Sequence, residues 1–461
     1  MKKVPDVFVI VFSLILLAAV ATWVLPGGSY QRHTTKVGET SREVVVPGSF
    51  HVEPAHAQTF AIFTAPIKGF QRLAAIIVFI FVVGGSFTIL NDTGAIAAGI
   101  NQLVKMLKGK EFLVIPIVMT FFSFFGSAFG MSEEAMPFVL IFVPLAIALG
   151  YDSIVGISLS FVAAGVGFAG AFINPFTLQI AQGIAGVPLL SGMGYRIVVW
   201  VLVTAFAITW VMIYAARIKK DPRRSPMYDL DQARREEILA SQAGQGGFNL
   251  RHGLCLLILL AGIVGMIVGV TVFQWYIVEL GGLFFAMGLA AGIVSGMGPN
   301  RLAKSFIAGA KDIAGAALIV AFAGGIIVIL EDGNVMDTIL HGMASVTGNL
   351  HKVVAADVMY VVQMLINFFI PSGSTKAALT MPLMGPLADL SGLTRQTAVL
   401  AYQFGDGFTN MIIPTSGVTV GTLAMAKVPF ERWFKWQWPM QVAFFFISIA
   451  LLVWPVLTNW H

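Results

Sequence analysis

The sequence predicts an all-α polytopic membrane protein. It reads as about nine transmembrane helices and two re-entrant hairpins, in two inverted-topology repeats with broken helices. Three observations carry that reading. Of 461 residues, 57% are hydrophobic and 11% charged, against roughly 25% charged in soluble domains, and mean hydropathy is +0.86. Two apolar runs are each interrupted by a polar tip, FGMSEEAMP (Phe129 to Pro137) and IPSGSTKAALTMP (Ile370 to Pro382). Residues around these tips recur at a nearly constant offset, Gly84 answering Gly324, Ser132 answering Ser374 and Pro175 answering Pro414, the mark of an internal repeat.

Composition also excludes. The net charge is +5, and much of the base lies between apolar segments, where it reports orientation and not a nucleic-acid partner. The single Cys255 leaves no internal disulfide, and the seven His residues are scattered without metal-ligand spacing, so neither a zinc site nor a cofactor is expected.

The elements follow in order. Residues 1–59 form a first transmembrane helix and an external loop. The apolar stretch from Val7 to Leu25 exceeds the roughly 7–15 residues of a signal-peptide core, so it is read as a helix with Lys2 and Lys3 inside. Residues 60–218 form the first repeat. Leu73 to Leu90 crosses the membrane, and Ala95 to Lys110, amphipathic with Lys105, Lys108 and Lys110, lies along the cytoplasmic interface. Hairpin 1 (111–150) opens to the cytoplasm. A broken helix (153–188) follows, because Gly165, Gly167, Gly170, Asn174 and Pro175 are enough to unwind a turn.

Residues 219–252, the most charged stretch, form a cytoplasmic linker by the positive-inside rule. Residues 253–299 supply two connecting transmembrane helices. Residues 300–461 form the second repeat, with hairpin 2 (354–391), which opens outside, and a second broken helix (394–426). Three crossings in the first repeat and two connecting ones start the second repeat on the opposite side, so the repeats are inverted. The N-terminus is then cytoplasmic and the C-terminus external. Asp92, Glu331 and Asp332 read as ordinary span ends, and Trp433, Trp436 and Trp438 beside Lys435 as an interfacial belt.

Re-entrant hairpins leave helix ends at the membrane midplane, where unpaired amides attract anionic or polar groups. Ser132, Ser372, Gly373, Ser374 and Thr375 hold such positions, with plain helix capping as the alternative. Glu134 and Lys376 occupy matched tip positions, and each charge costs at least about 2.5–3.5 kcal/mol at membrane depth. They hold the two ends of a zwitterion such as an amino acid, or they pair with each other. Glu133 is the weaker candidate, since adjacent helix positions do not share a face. In the second broken helix Asp406, Thr409, Asn410, Thr415 and Ser416 surround two glycines and a proline, while Asn174 and Thr177 flank the first break. Their oxygens suit a coupling ion: Na+ at Ser132, Asn174, Ser374 and Asp406, or H+ on Asp406. No His or Cys accompanies the tips, so an enzyme is not expected. A channel remains the alternative from another class, which paired broken helices disfavour relative to alternating access.

FGMSEEA, INPFTLQIAQGIAGVP, SGSTKAALTMP and QTAVLAYQFGDGFTNMIIPTSG resemble the YfcC branch of the C4-dicarboxylate anaerobic carrier (DcuC-like) family, in the ion-transporter superfamily, over nearly the whole chain. The resemblance implies a secondary transporter of the bacterial inner membrane, usually a homodimer in the lipid bilayer. It also implies an elevator movement of a transport domain near 111–188 and 354–426. The family name implies a sodium- or proton-coupled C4-dicarboxylate or organic-anion carrier, whereas basic amino-acid antiport such as arginine/ornithine exchange is described for the branch. SGSTKAA replaces the commoner SGSGQAA, adding Lys376. With Glu133, Glu134 and Asp406 against that one lysine, an amino acid is the expected substrate and a dicarboxylate the alternative.

Overall fold

A computed structural model describes residues 7–37, 40–244, 249–273, 275–345 and 351–461. Lys2, Lys3 and part of the charged linker lie outside the described residues. Helix α1 (Val7–Val24) leads into four short strands, β1 (Gly27–Ser29), β2 (Arg32–Val37), β3 (Thr40–Val45) and β4 (His51–Glu53). They pair antiparallel as β1–β4 and β2–β3. Next come α2 (Ala61–Arg72), α3 (Ala74–Asp92) and α4 (Ala95–Met106). The first polar tip separates α5 (Val114–Phe129) from a 3-10 turn (Glu133–Phe138) and α6 (Val139–Ala148). Helix α7 (Ser153–Ile157) runs through a π turn into α8 (Ala163–Ala169), stops, and resumes as α9 (Leu178–Ala185). Helices α10 (Met193–Lys220), α11 (Tyr228–Gly244), α12 (Leu250–Val272) and α13 (Ile277–Val294) end the first half.

The second half of the chain follows. It runs α14 (Pro299–Asp312), α15 (Ala314–Asp332), α16 (Met336–Ser345), then α17 (Lys352–Phe369) and α18 (Gly373–Leu390) around the second tip. Helix α19 (Arg395–Asn410) breaks and resumes as α20 (Gly417–Met425), and α21 (Phe430–Thr458) closes the chain.

Seven helices among the described residues are long and apolar enough to cross a membrane, or eight if the bent pair α14–α15 is one span. This count differs from the nine crossings expected. Two of the seven, which begin at Glu111 and Lys352, are the first arms at the polar tips, whereas Phe8–Val24 and Ser153–Ala169 fall short on length.

Each helix break is satisfied by a neighbour, as buried backbone polar groups require. Ser127 on α5 donates from Oγ to the Gly170 carbonyl (3.1 Å) and accepts from the Phe172 amide (3.2 Å). Pro175 contributes no amide, and Asn174 Oδ1 accepts from Phe176 N (3.0 Å) and Thr177 N (3.2 Å) to start α9. At the second break Trp433 Nε1 donates to the Met411 carbonyl (2.8 Å), and the Thr419 hydroxyl donates to the Asn410 carbonyl. Trp433 is therefore fully buried and corrects the expected interfacial belt; of that group Trp438 is the exposed member.

Two packed groups result. In one, α15 lies against α1 and α2, and α3 lies between α13 and α14. In the other, α5 crosses α8, α19 packs on α8, α9, α17 and α18, and α10 and α21 brace them. Small residues let the crossings close, as membrane packing demands. A Cβ on Gly126 would meet the Ala164 backbone, and one on Gly167 the Ser123 backbone. Gly167→Ala is expected to cost about 1–3 kcal/mol through overpacking, read as a lower thermal midpoint of the purified protein.

Part of the charged linker is the helix α11 (Tyr228–Gly244) and not merely a tether. On α11, Asp231 accepts from Ser153 N (2.8 Å), and Asp229 pairs with Arg432. That guanidinium pulls the Asp229 carboxyl down to about 2. Its contribution to stability is then present above the usual carboxylate range and lost as pH falls through about 2. Because Asp229 is 64% exposed, Arg432→Gln is expected to cost less than about 1 kcal/mol at pH 7, while returning Asp229 towards the ordinary range near about 3.9 in an NMR titration.

Candidate functional site

A cavity of about 280 Å³ lies where the two groups meet. Both polar tips reach it, as do both helix breaks. From the first tip come Ser132 and Glu133, and from the second Ser372, Gly373, Ser374 and Thr375. The breaks add Thr177, Asn410, Thr415 and Ser416. The far wall belongs to the other group, with Arg72 at the end of α2, Ile76, Tyr276 and the α15 residues Gly324 and Ile327.

Helix α18 begins at the cavity. Ser372 holds its N-cap position but makes no side-chain bond to the first-turn amides; its hydroxyl donates to Thr375 Oγ1 (3.1 Å) instead. The first-turn amides of α18 therefore carry no side-chain cap, at the end where the helix dipole is positive. By contrast, α20 is capped by its own Ser416, whose Oγ accepts from Thr419 N (3.4 Å).

Five sequence candidates do not line the cavity. Asn174 is consumed in the first break, as described. Thr409 is buried and donates to the Gly405 carbonyl (2.6 Å). Lys376 and Asp406, both fully buried, pair at 2.9 Å behind the second tip. Glu134 points elsewhere: its Oε2 accepts from Ser132 N (2.9 Å), and it faces Phe125, Phe129, Met131, Met266 and Val270.

These placements correct the expected meeting of the two charged tips. Lys376 does not meet Glu134 across the tips, because the first tip enters a 3-10 turn where the second enters an α-helix. Side chains at matched sequence positions then leave the backbone in different directions. Of the four residues considered for sodium, Ser132 and Ser374 line the cavity, Asn174 Oδ1 lies against Gly130 in the first tip and Asp406 Oδ2 against Gly373 in the second, while Asp406 also pairs with Lys376. Among the described residues no cluster of His, Cys, Asp and Glu could hold a metal ion.

The structure adds groups beyond the candidate residues. Asn367 on α17 donates from Nδ2 to Thr409 Oγ1 (2.7 Å) and Asn410 Oδ1 (2.8 Å), and its Oδ1 accepts from Lys376 Nζ (3.1 Å). Tyr402 donates to the Gly373 carbonyl (2.6 Å), with Lys376 Nζ 5.0 Å from its ring centre. Gln403 donates to the Phe168 carbonyl (2.6 Å) and Thr177 Oγ1 (3.1 Å), tying the two breaks together. Arg72 is held at the cavity edge by both carboxylate oxygens of Glu331, so that span-end acid has a partner in the cavity wall. A lone amide in the apolar run MLINFF was a legible signal for Asn367; Arg72 and Tyr276 offered none.

Long apolar helices around a polar cavity walled by broken helices define a multi-pass membrane transporter. The chain belongs to the C4-dicarboxylate anaerobic carrier (DcuC) family, whose model matches residues 4–457. It is 39% identical to an Escherichia coli K12 protein named "Putative basic amino acid antiporter YfcC", over 99% of this chain and 97% of that protein. It is 32% identical to an uncharacterized protein of Haemophilus influenzae Rd, over 97% of this chain and 96% of that one. Solved structures similar to it are the Alcanivorax borkumensis YdaH transporter (17% identity, TM-score 0.42, 99% of both chains) and Neisseria gonorrhoeae MtrF, titled as illuminating a class of antimetabolite efflux pumps (18%, TM-score 0.44, 98% of this chain and 95% of that one). At these scores neither defines the fold or the site here.

Proposed function

We propose that the protein is a secondary antiporter of the inner membrane that exchanges basic amino acids, arginine against ornithine being the model pair. One observation carries this reading. The cavity holds an acid, Glu133, that forms no ion pair among the described residues, together with the uncapped end of α18 and the hydroxyls of Ser372, Ser374 and Thr375. A substrate with one carboxylate and a cationic group matches both halves. The carboxylate sits on the α18 amides and hydroxyls, and the cation sits on Glu133. Among the described residues, Lys376 behind the second tip is already neutralised by Asp406 and Arg72 in the cavity wall by Glu331, so neither is a free cation for a second carboxylate. The name of the E. coli relative supports the same class.

In this reading the two halves are inverted repeats, each tip is a re-entrant hairpin, and the chain makes nine crossings with the N-terminus cytoplasmic and the C-terminus external. Residues near 111–188 and 354–426 move as one body against α1–α3 and α12–α15, in a homodimer. The placement of the cavity between the two packed groups supports such an elevator step, since sliding one past the other carries the tips but leaves Arg72 and Tyr276 behind.

Counterflow in proteoliposomes tests the substrate. Vesicles are preloaded separately with arginine, ornithine, glutamate and succinate. Label accumulation with arginine or ornithine inside, and none with succinate, is expected. Succinate-only counterflow would make the protein a dicarboxylate carrier, as the family's description reads.

A further inference from the structure

Behind the second tip sits a cation that the protein supplies itself. Lys376 Nζ lies 2.9 Å from Asp406 Oδ1 and 3.1 Å from Asn367 Oδ1, over the Tyr402 ring, and both members of the ion pair are fully buried. Asp406 Oδ2 has no hydrogen-bond partner, and it lies against Gly373, where a Cβ would come within 2.9 Å of it. Lys376 is in the first turns of α18, where the helix dipole repels a cation. Nothing in local helix energetics favours a lysine there. The place is nonetheless built for a monovalent cation: carboxylate and amide oxygens from α19 and α17, at a helix break, shielded from water.

We infer that the Lys376 ammonium is a tethered cation occupying a position that would otherwise bind sodium, so that the carrier exchanges substrate without a sodium gradient. The inference rests on the transporter reading above but not on the substrate. A carrier that keeps its cation permanently has nothing to release with the substrate at either membrane face, and a sodium gradient then has no purchase on it. Such a carrier is driven only by the gradients of its substrates, as an exchanger is.

The test reads sodium and not substrate. Thermal midpoints of the purified full-length protein are measured without substrate, in NaCl or in choline chloride at equal ionic strength. Wild type is expected to show the same midpoint in both salts. Lys376→Gln opens the position, and its midpoint is expected to rise by about 3–8 °C between 1 and 300 mM NaCl by ligand linkage. Lys376→Gln combined with Asp406→Asn lacks the carboxylate and is expected to be indifferent again. Sodium stabilisation of wild type overturns the inference. So does a Lys376→Gln protein that folds but ignores sodium, or one that fails to fold in both salts. A Lys376→Gln protein that folds only in NaCl supports it. Because no amino acid enters the assay, failure of the substrate assignment in counterflow leaves this result standing, and the reverse also holds.

Discussion

Asp406→Asn is expected to abolish exchange and to lower stability by about 3–5 kcal/mol, the cost of leaving a buried charge without its partner. Lys376 has no exposure and no other carboxylate in contact among the described residues. An asparagine can still accept its hydrogen bond but cannot compensate the charge. Adding Lys376→Gln to Asp406→Asn removes both charges together, and most of the stability is expected to return. A double-mutant cycle on thermal midpoints reads the coupling. If the single and double variants unfold at the same temperature, the ion pair is not what holds the second tip to α19. Gly373, carried on the same turn and bonded to Tyr402, would then be positioned by that bond alone.

Glu133→Gln is expected to reduce kcat/KM for arginine exchange by about a hundredfold or more, equivalent to about 2.7 kcal/mol, while the thermal midpoint stays near wild type. The neutral amide keeps the shape of the side chain but no longer answers the substrate's cation. Glu134→Gln is the control on the adjacent residue. It faces apolar side chains of α5 and α12 and only closes the turn at Ser132, so exchange within about threefold of wild type is expected. Radiolabelled exchange in proteoliposomes separates the two. Equal losses in both variants would mean that the first tip acts as a unit.

Much of this organisation was legible in the sequence, because the membrane makes polar residues conspicuous. The tips at Ser132 and Ser374 stood out against apolar flanks, and glycines with Pro175 and Pro414 marked both breaks where the helices stop. The residues at those interruptions do meet around one cavity. The pairing of charges was not legible. Matched repeat positions pointed from Lys376 to Glu134, but a side chain's direction depends on whether its turn is 3-10 or α, which spacing alone does not determine. Asp406 lies a full helix away from Lys376 in sequence, so only the packing of α18 on α19 brings them together. The same holds for the far wall. Arg72 and Tyr276 come from stretches with no motif, and Gly324 from a repeat landmark that carried no sign of the site; all are joined to it only by the docking of one helix group on the other.

On the proposed function the cavity recognises one carboxylate and one side-chain cation on the same molecule. Equilibrium binding to the purified protein reads this, comparing arginine with agmatine, which lacks the carboxylate, with citrulline, which keeps the α-ammonium but lacks the side-chain cation, and with succinate. Arginine is expected to bind at least about tenfold more tightly than agmatine or citrulline, roughly 1.4 kcal/mol for each lost contact, and Glu133→Gln is expected to erase the preference over citrulline. Tightest binding of succinate, unchanged by Glu133→Gln, would contradict it.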